Sequence, residues 1–212
     1  LASGIGIDCC TGTHNDKVKM YAVVFLALVA SALAEVYVDS RCPDIQPVQN
    51  FDVVNYGKGV WYEIARYPNR KEMKIDCGHT EYTPQGDHFS VKNLGFNNGK
   101  LMSIEGVAKL AEDAGNSGKL IFTLPYGASG KKTDNVLNVL YTDYDNFAIV
   151  YHCQFHEEKN SRQDFAWILS RSKSLSPELK AKVDKFVSES KVLDSSKFVW
   201  PDFSDKACKA SA

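Results

Sequence analysis

Gln163-Asp164-Phe165-Ala166-Trp167-Ile168-Leu169-Ser170-Arg171 is the stretch on which the fold turns. Two sets of side chains alternate along it, Gln163, Phe165 and Trp167 against Asp164, Ala166 and Ile168, and alternation is the period of a strand whose faces differ. Toward the N-terminus, runs of alternating or β-branched residues recur. Turn signals divide them at Tyr67-Pro68-Asn69, Thr83-Pro84-Gln85-Gly86, Asn97-Asn98-Gly99, Asn116-Ser117-Gly118, Gly127 to Gly130 and Asp143-Tyr144-Asp145-Asn146. Turns this closely spaced indicate an antiparallel meander, with Asn98-Gly99 as a two-residue hairpin turn. Strands are expected at 61–67, 77–83, 88–96, 101–109, 118–126, 135–141, 147–155 and 164–170.

One segment reads as a helix and it follows the strands. Ser176 favours an N-cap, Pro177 suits the first helical position, and Leu179, Val183, Phe186 and Val187 share one face. The face carrying Lys180, Lys182, Asp184 and Lys185 should stay wet. Beyond it, Lys197-Phe198-Val199-Trp200 is expected to add a short strand at the edge.

The run from Tyr21 to Ala34 is apolar throughout and closes on Ala32-Leu33-Ala34, a small-x-small cleavage pattern, so 20–34 reads as a secretory signal peptide. It is too short for a spanning helix, which needs about 20 apolar residues. Residues 1–19 precede Met20 without an apolar period and read as an upstream, non-native segment. What remains, 35–212, is the size of one domain. Removing Asp8, Asp16, Lys17 and Lys19 with the leader keeps the net charge at −1. A near-neutral chain without basic runs suits neither nucleic acid nor a membrane surface. Cys42, Cys77, Cys153 and Cys208 survive cleavage, and four cysteines in a secreted, extracellular chain imply two disulfides in any of three connectivities. The four contain no Cys-x-x-Cys pair, so no metal site is expected.

Gly59-Val60-Trp61, Thr142-Asp143-Tyr144 and Arg171 stand in the order and near the intervals of three signatures, and on them the chain resembles the lipocalin family. The resemblance implies an all-β fold: an eight-stranded antiparallel up-and-down β-barrel with one C-terminal α-helix packed outside. It implies that Gly59, Trp61, Thr142, Asp143, Tyr144 and Arg171 meet at the closed end, where a guanidinium over an indole gains cation–π attraction and still donates to loop carbonyls. Cys42-Pro43-Asp44, Glu63-Ile64-Ala65-Arg66-Tyr67-Pro68, Glu81-Tyr82-Thr83-Pro84, Gln163 to Lys173 and Asp202 to Cys208 are similar to the insect bilin-binding and insecticyanin branch of that family. This closer likeness, over 36–208, implies the pairs Cys42–Cys153 and Cys77–Cys208. It also implies a secreted carrier that holds biliverdin without a covalent bond, for transport or colour, and a possible homo-oligomer. Gly95, Thr123 and His152 depart from the branch, which leaves the pigment's identity open.

In a closing meander each strand gives one face to the interior. Leu120, Phe122, Leu124 and Tyr126 form the bulkier face of their strand. Asn135, Leu137 and Val139 are in phase with the pocket by resemblance. If Cys153 points out toward Cys42, then Val150, His152 and Gln154 point in, and Gln163, Phe165 and Trp167 are the better lining of the last strand. With Asn93 these make an aromatic cavity with a few polar groups, suited to a flat conjugated ligand with polar edges. A fatty acid, retinoid or pheromone carrier is the alternative, and a lipocalin-fold enzyme or inhibitor a more distant one.

No catalytic constellation appears. There is no G-x-S-x-G, and the pairing of every mature cysteine would remove the thiol a nucleophile needs. His152 and His156 lie four apart on an expected strand, hence about 13 Å from each other and unable to share a metal. His152 as a haem ligand is the one cofactor rival to biliverdin. Asp143 and Tyr144 read as turn residues rather than an acid and base.

Overall fold

The computed structural model describes residues 35–126 and 130–209, Tyr126 by its backbone alone. The expected leader, 20–34, and the segment before it lie outside the described residues. Nine strands form one antiparallel sheet: β1 (Val36–Val38), β2 (Val60–Arg66), β3 (Asp76–Pro84), β4 (Phe89–Asn97), β5 (Lys100–Leu110), β6 (Lys119–Tyr126), β7 (Lys131–Thr142), β8 (Phe147–His156) and β9 (Ser161–Ser170). Strands β2 to β9 pair in sequence, and β9 pairs with both β8 and β2, so the sheet closes into an eight-stranded barrel. The extra strand β1 takes the length of β9 that β2 leaves uncovered, Arg162 to Asp164.

The expected strands are all present, with ends displaced where side chains carry no signal. Lys131-Lys132-Thr133-Asp134 is polar on both faces and falls outside the strand expected at 135–141, yet its backbone pairs with Tyr126 to Thr123 of β6. Asn98 and Gly99 both take positive φ, 50° and 75°, and join Asn97 directly to Lys100 as the two-residue turn requires. The expected strand at 197–200 is corrected: Ser195–Lys197 is a 3-10 turn, and Val199 makes a single bridge to Arg66.

Among the described residues two α-helices flank the barrel. Helix α1 (Val53–Tyr56) is one turn capped by the Asp52 carboxylate, which accepts from Asn55 N at 2.9 Å. It has no sequence period to betray it. Helix α2 (Pro177–Glu189) starts at Ser176, whose hydroxyl accepts from Leu179 N, and buries Val183 and Val187 against the outside of β2, β8 and β9. Ile64, Ala65, Phe147, Ile149, Ala166 and Ile168 supply the other half of that layer. A second cluster fills the lower barrel with Trp61, Tyr82, Val91, Ala108, Phe122, Val139 and Ala148. Disulfides Cys42–Cys153 and Cys77–Cys208 tie the two chain ends to the wall.

Candidate ligand site

One end of the barrel is shut by the signature residues. Arg171 lies over Trp61, its guanidinium carbon 3.6 Å from the ring centroid. It donates from Nε to Tyr144 O at 2.9 Å, from Nη1 to Lys58 O and Val60 O, and from Nη2 to Asn55 O and Tyr56 O. The indole beneath is fully buried and donates to Tyr56 O at 2.8 Å. Thr142 and Asp143 build the turn that presents Tyr144 O. Thr142 Oγ1 accepts from Tyr144 N, Asp143 Oδ1 accepts from Asn146 N and Phe147 N, and Tyr144 itself sits at φ 64°. Gly59 turns the chain into β2 at φ +66°, a conformation L side chains rarely adopt. These six residues meet at this end of the barrel, where their side chains and turns tie the loops together.

The other end opens on a cavity. Its floor is Tyr82, Phe122, Leu124, Val150 and Leu169. One wall is aromatic: the rings of Phe165 and Trp167 lie within 11° of parallel at 6.1 Å, and His152 packs on Phe165 at 5.3 Å. Asn93, Asn135, Leu137 and Gln154 complete the lining expected from sequence. His152 Nδ1 is bound to Val136 O at 2.7 Å, and burial holds its pKa below the ordinary value, so its ring is a neutral wall element near pH 7. Gln163 and Tyr126 stand apart from that set. Gln163 is buried at the end of β9 that pairs with β1, accepting from the Tyr37 hydroxyl, and is not part of the cavity lining. The Tyr126 side chain lies outside the described residues. Thr123 faces away from the cavity and donates to Asp134 Oδ1.

The charged part of the lining was not anticipated: Glu63, Lys71 and Glu72, with Asn69 and Thr80 beside them. Glu63 had a signal, since it stands two residues from Trp61 on one strand and shares its face. A β-bulge at Ile64 then shifts the register, so that Ile64 and Ala65 both face the helix layer while Arg66 turns inward. The bulge is what lets Arg66 Nη1 reach Glu63 Oε1 at 2.7 Å along a strand. Lys71, Glu72 and Asn69 belong to the 67–75 loop over the mouth, which has no period to read. Asn69 Oδ1 accepts from Lys71 N and Glu72 N, and its amide donates to Glu72 Oε2 at 2.6 Å. The loop comes down onto the wall because Gly95 leaves room: a Cβ there would stand 2.4 Å from Ile75. Burial, reinforced by Glu72 and opposed by Arg66, pushes the Glu63 carboxyl up to about 8.

A barrel plugged at one end by a Trp–Arg pair and open at the other on an aromatic cavity is the architecture of one family. Residues 58–205 match the lipocalin / cytosolic fatty-acid binding protein family, and the chain belongs to it. Within it, the chain is 46% identical to the bilin-binding protein of Pieris brassicae, over 91% of this chain and all of that one. It is 36% identical to insecticyanin-B of Manduca sexta, over 91% and 94% of the two chains. The solved structure of insecticyanin from Manduca sexta superposes with a TM-score of 0.77 at 37% identity, covering 84% of this chain and 94% of that one. Among the described residues no helix is long and apolar enough to cross a membrane, and no cluster of side chains could hold a metal ion.

Proposed function

We propose that the protein is a secreted carrier that binds a linear tetrapyrrole, biliverdin, reversibly in the open end of its barrel and performs no catalysis on it. The observation that carries the reading is the near-parallel pair of Phe165 and Trp167, extended by His152, in a chain 46% identical to a bilin-binding protein. Flat conjugated rings gain most from such a wall, because stacking adds to apolar burial. The residues fit the group. The aromatic wall offers planar surface, the floor is apolar, and Asn93, Asn135 and Gln154 offer separate donors and acceptors for a ligand with polar edges. The apolar run at 20–34 and the two disulfides support secretion, with 35–212 as the mature domain. A carrier of a fatty acid, retinoid or pheromone is the alternative.

Mixing the apo-protein with biliverdin tests the reading. Binding should quench Trp167 fluorescence and sharpen and red-shift the long-wavelength band, because a closed apolar cavity holds one extended conformer where water permits many. If biliverdin changes neither signal while a fatty acid or retinoid saturates the protein, the alternative stands.

A further inference from the structure

We propose that Glu63 accepts hydrogen bonds from the N–H groups of the bound pigment, so that the cavity selects ligands rich in N–H donors over lipids headed by a carboxylate. The inference deepens the proposed function and rests on it. Glu63 lines the cavity, and its side chain keeps 16% of its exposure there. Oε1 is engaged by Arg66, whereas among the described residues no hydrogen bond reaches Oε2. One carboxylate oxygen is therefore fixed and the other opens on the ligand space. A linear tetrapyrrole lines the inner edge of its rings with N–H groups and carries its acid groups on the opposite edge. A fatty acid would bring a carboxylate against Glu63 and Glu72 together.

The same wall already meets an N–H of the pyrrole type. The indole Nε1 of Trp167 donates to Glu72 Oε2 at 3.1 Å. Arg66, the nearest cation, is committed to Glu63 and to the carbonyls of Glu72 and Ile75. The other charged or titratable groups facing this space are Lys71 on the mouth loop, His152 across the barrel and the Tyr82 phenol at the floor. Burial keeps His152 neutral near pH 7 and holds Tyr82 protonated. Glu63, raised to about 8, carries a proton in the apo-protein at neutral pH. A ligand that favours its carboxylate displaces that proton, so pigment affinity should rise with pH until Glu63 is ionised without help. A carboxylate-headed lipid should show the opposite slope.

The test is to titrate biliverdin, its dimethyl ester and cis-parinaric acid into the wild type, Glu63→Gln, Glu63→Gln/Arg66→Leu and Lys182→Ala on the outer helix. Dissociation constants would be read from fluorescence across about pH 6 to about pH 9. A glutamine that keeps its carbonyl on Arg66 turns its amide N–H groups toward the ligand's own donors. Glu63→Gln should weaken both pigments about tenfold at pH 8 and flatten their pH profile, while parinaric acid binds as well or better and Lys182→Ala matches the wild type. The double variant serves if the single one fails to fold. Should neither fold, the wild-type profile decides: pigment affinity rising through about pH 8 supports the assignment, and a flat or falling one overturns it. Equal pigment affinity in wild type and a folded variant overturns the role of Glu63 and leaves the pigment reading in place. A wild type that takes parinaric acid and refuses both pigments overturns the two together.

Discussion

At the scale of single residues, Arg171 does the most for the fold, because one side chain satisfies five loop carbonyls and covers an indole. Replacing it by alanine removes the stacking and leaves those carbonyls to find water at a packed barrel end. Arg171→Ala should cost about 2–4 kcal/mol, read as a fall of about 5–15 °C in the thermal midpoint. Arg171→Lys should recover part of this, since an ammonium keeps the charge over the ring and loses the fork. Phe165 works on the ligand instead. Its ring lies between Trp167 and His152, so Phe165→Ala should weaken pigment binding by about 1–3 kcal/mol, measured by fluorescence titration, with little loss of secondary structure.

Elements explain why some of this was legible and some was not. Strands with two unlike faces, such as β6 and β9, declare their inward sides by alternation, and Phe122, Leu124, Phe165 and Trp167 line the cavity. Strand β8 is apolar on both faces, so His152 and Gln154 are placed by the Cys153 disulfide, and Asn135 and Leu137 by resemblance, and these four line it too. Alternation fails where the register breaks. Reading β2 by strict period two puts Glu63 inside but Arg66 outside, and the bulge at Ile64 reverses the second. Gln163 keeps the phase of Phe165 and Trp167, opposite Gln154, yet it is buried beside Tyr37 of β1 and is not part of the cavity lining. The mouth loop that brings Lys71 and Glu72 is held by Asn69 side-chain bonds and by the absence of a side chain at Gly95. Neither leaves a periodic trace. Helix α2 lies at the opposite extreme: cap, proline and apolar spacing agreed, and the helix begins at Pro177. It is held by its apolar stripe. Val183→Ala, at a site 1% exposed, should cost about 1–3 kcal/mol in denaturant melts, whereas Lys182→Ala on the wet face should fall within about 0.5 kcal/mol of the wild type.

For the whole molecule, the cavity and the stability of the barrel draw on the same groups. A carboxyl whose pKa is raised from 4.5 to about 8 binds its proton more tightly folded than unfolded. Its contribution to stability is thus fully present below about pH 4.5 and is lost as pH rises through about 8. The apo-protein should lose stability across that window and Glu63→Gln should lose less, a difference readable from midpoints at pH 5 and pH 8. The disulfides act on the unfolded chain. With separations of 111 and 131 residues, Cys42–Cys153 and Cys77–Cys208 close long loops, and removing a native bond of this kind costs about 2–5 kcal/mol. Two such losses approach the whole stability of an ordinary domain, about 5–15 kcal/mol, so full reduction should unfold the apo-protein near 37 °C and abolish its near-UV circular dichroism. Bound ligand opposes this by mass action, worth about 4 kcal/mol at a thousandfold excess over the dissociation constant. Reduced protein saturated with biliverdin should therefore keep its near-UV signal at a temperature where reduced apo-protein has lost it. Coincident loss in both samples would mean either that the pigment does not bind or that it does not distinguish the folded barrel from the open chain.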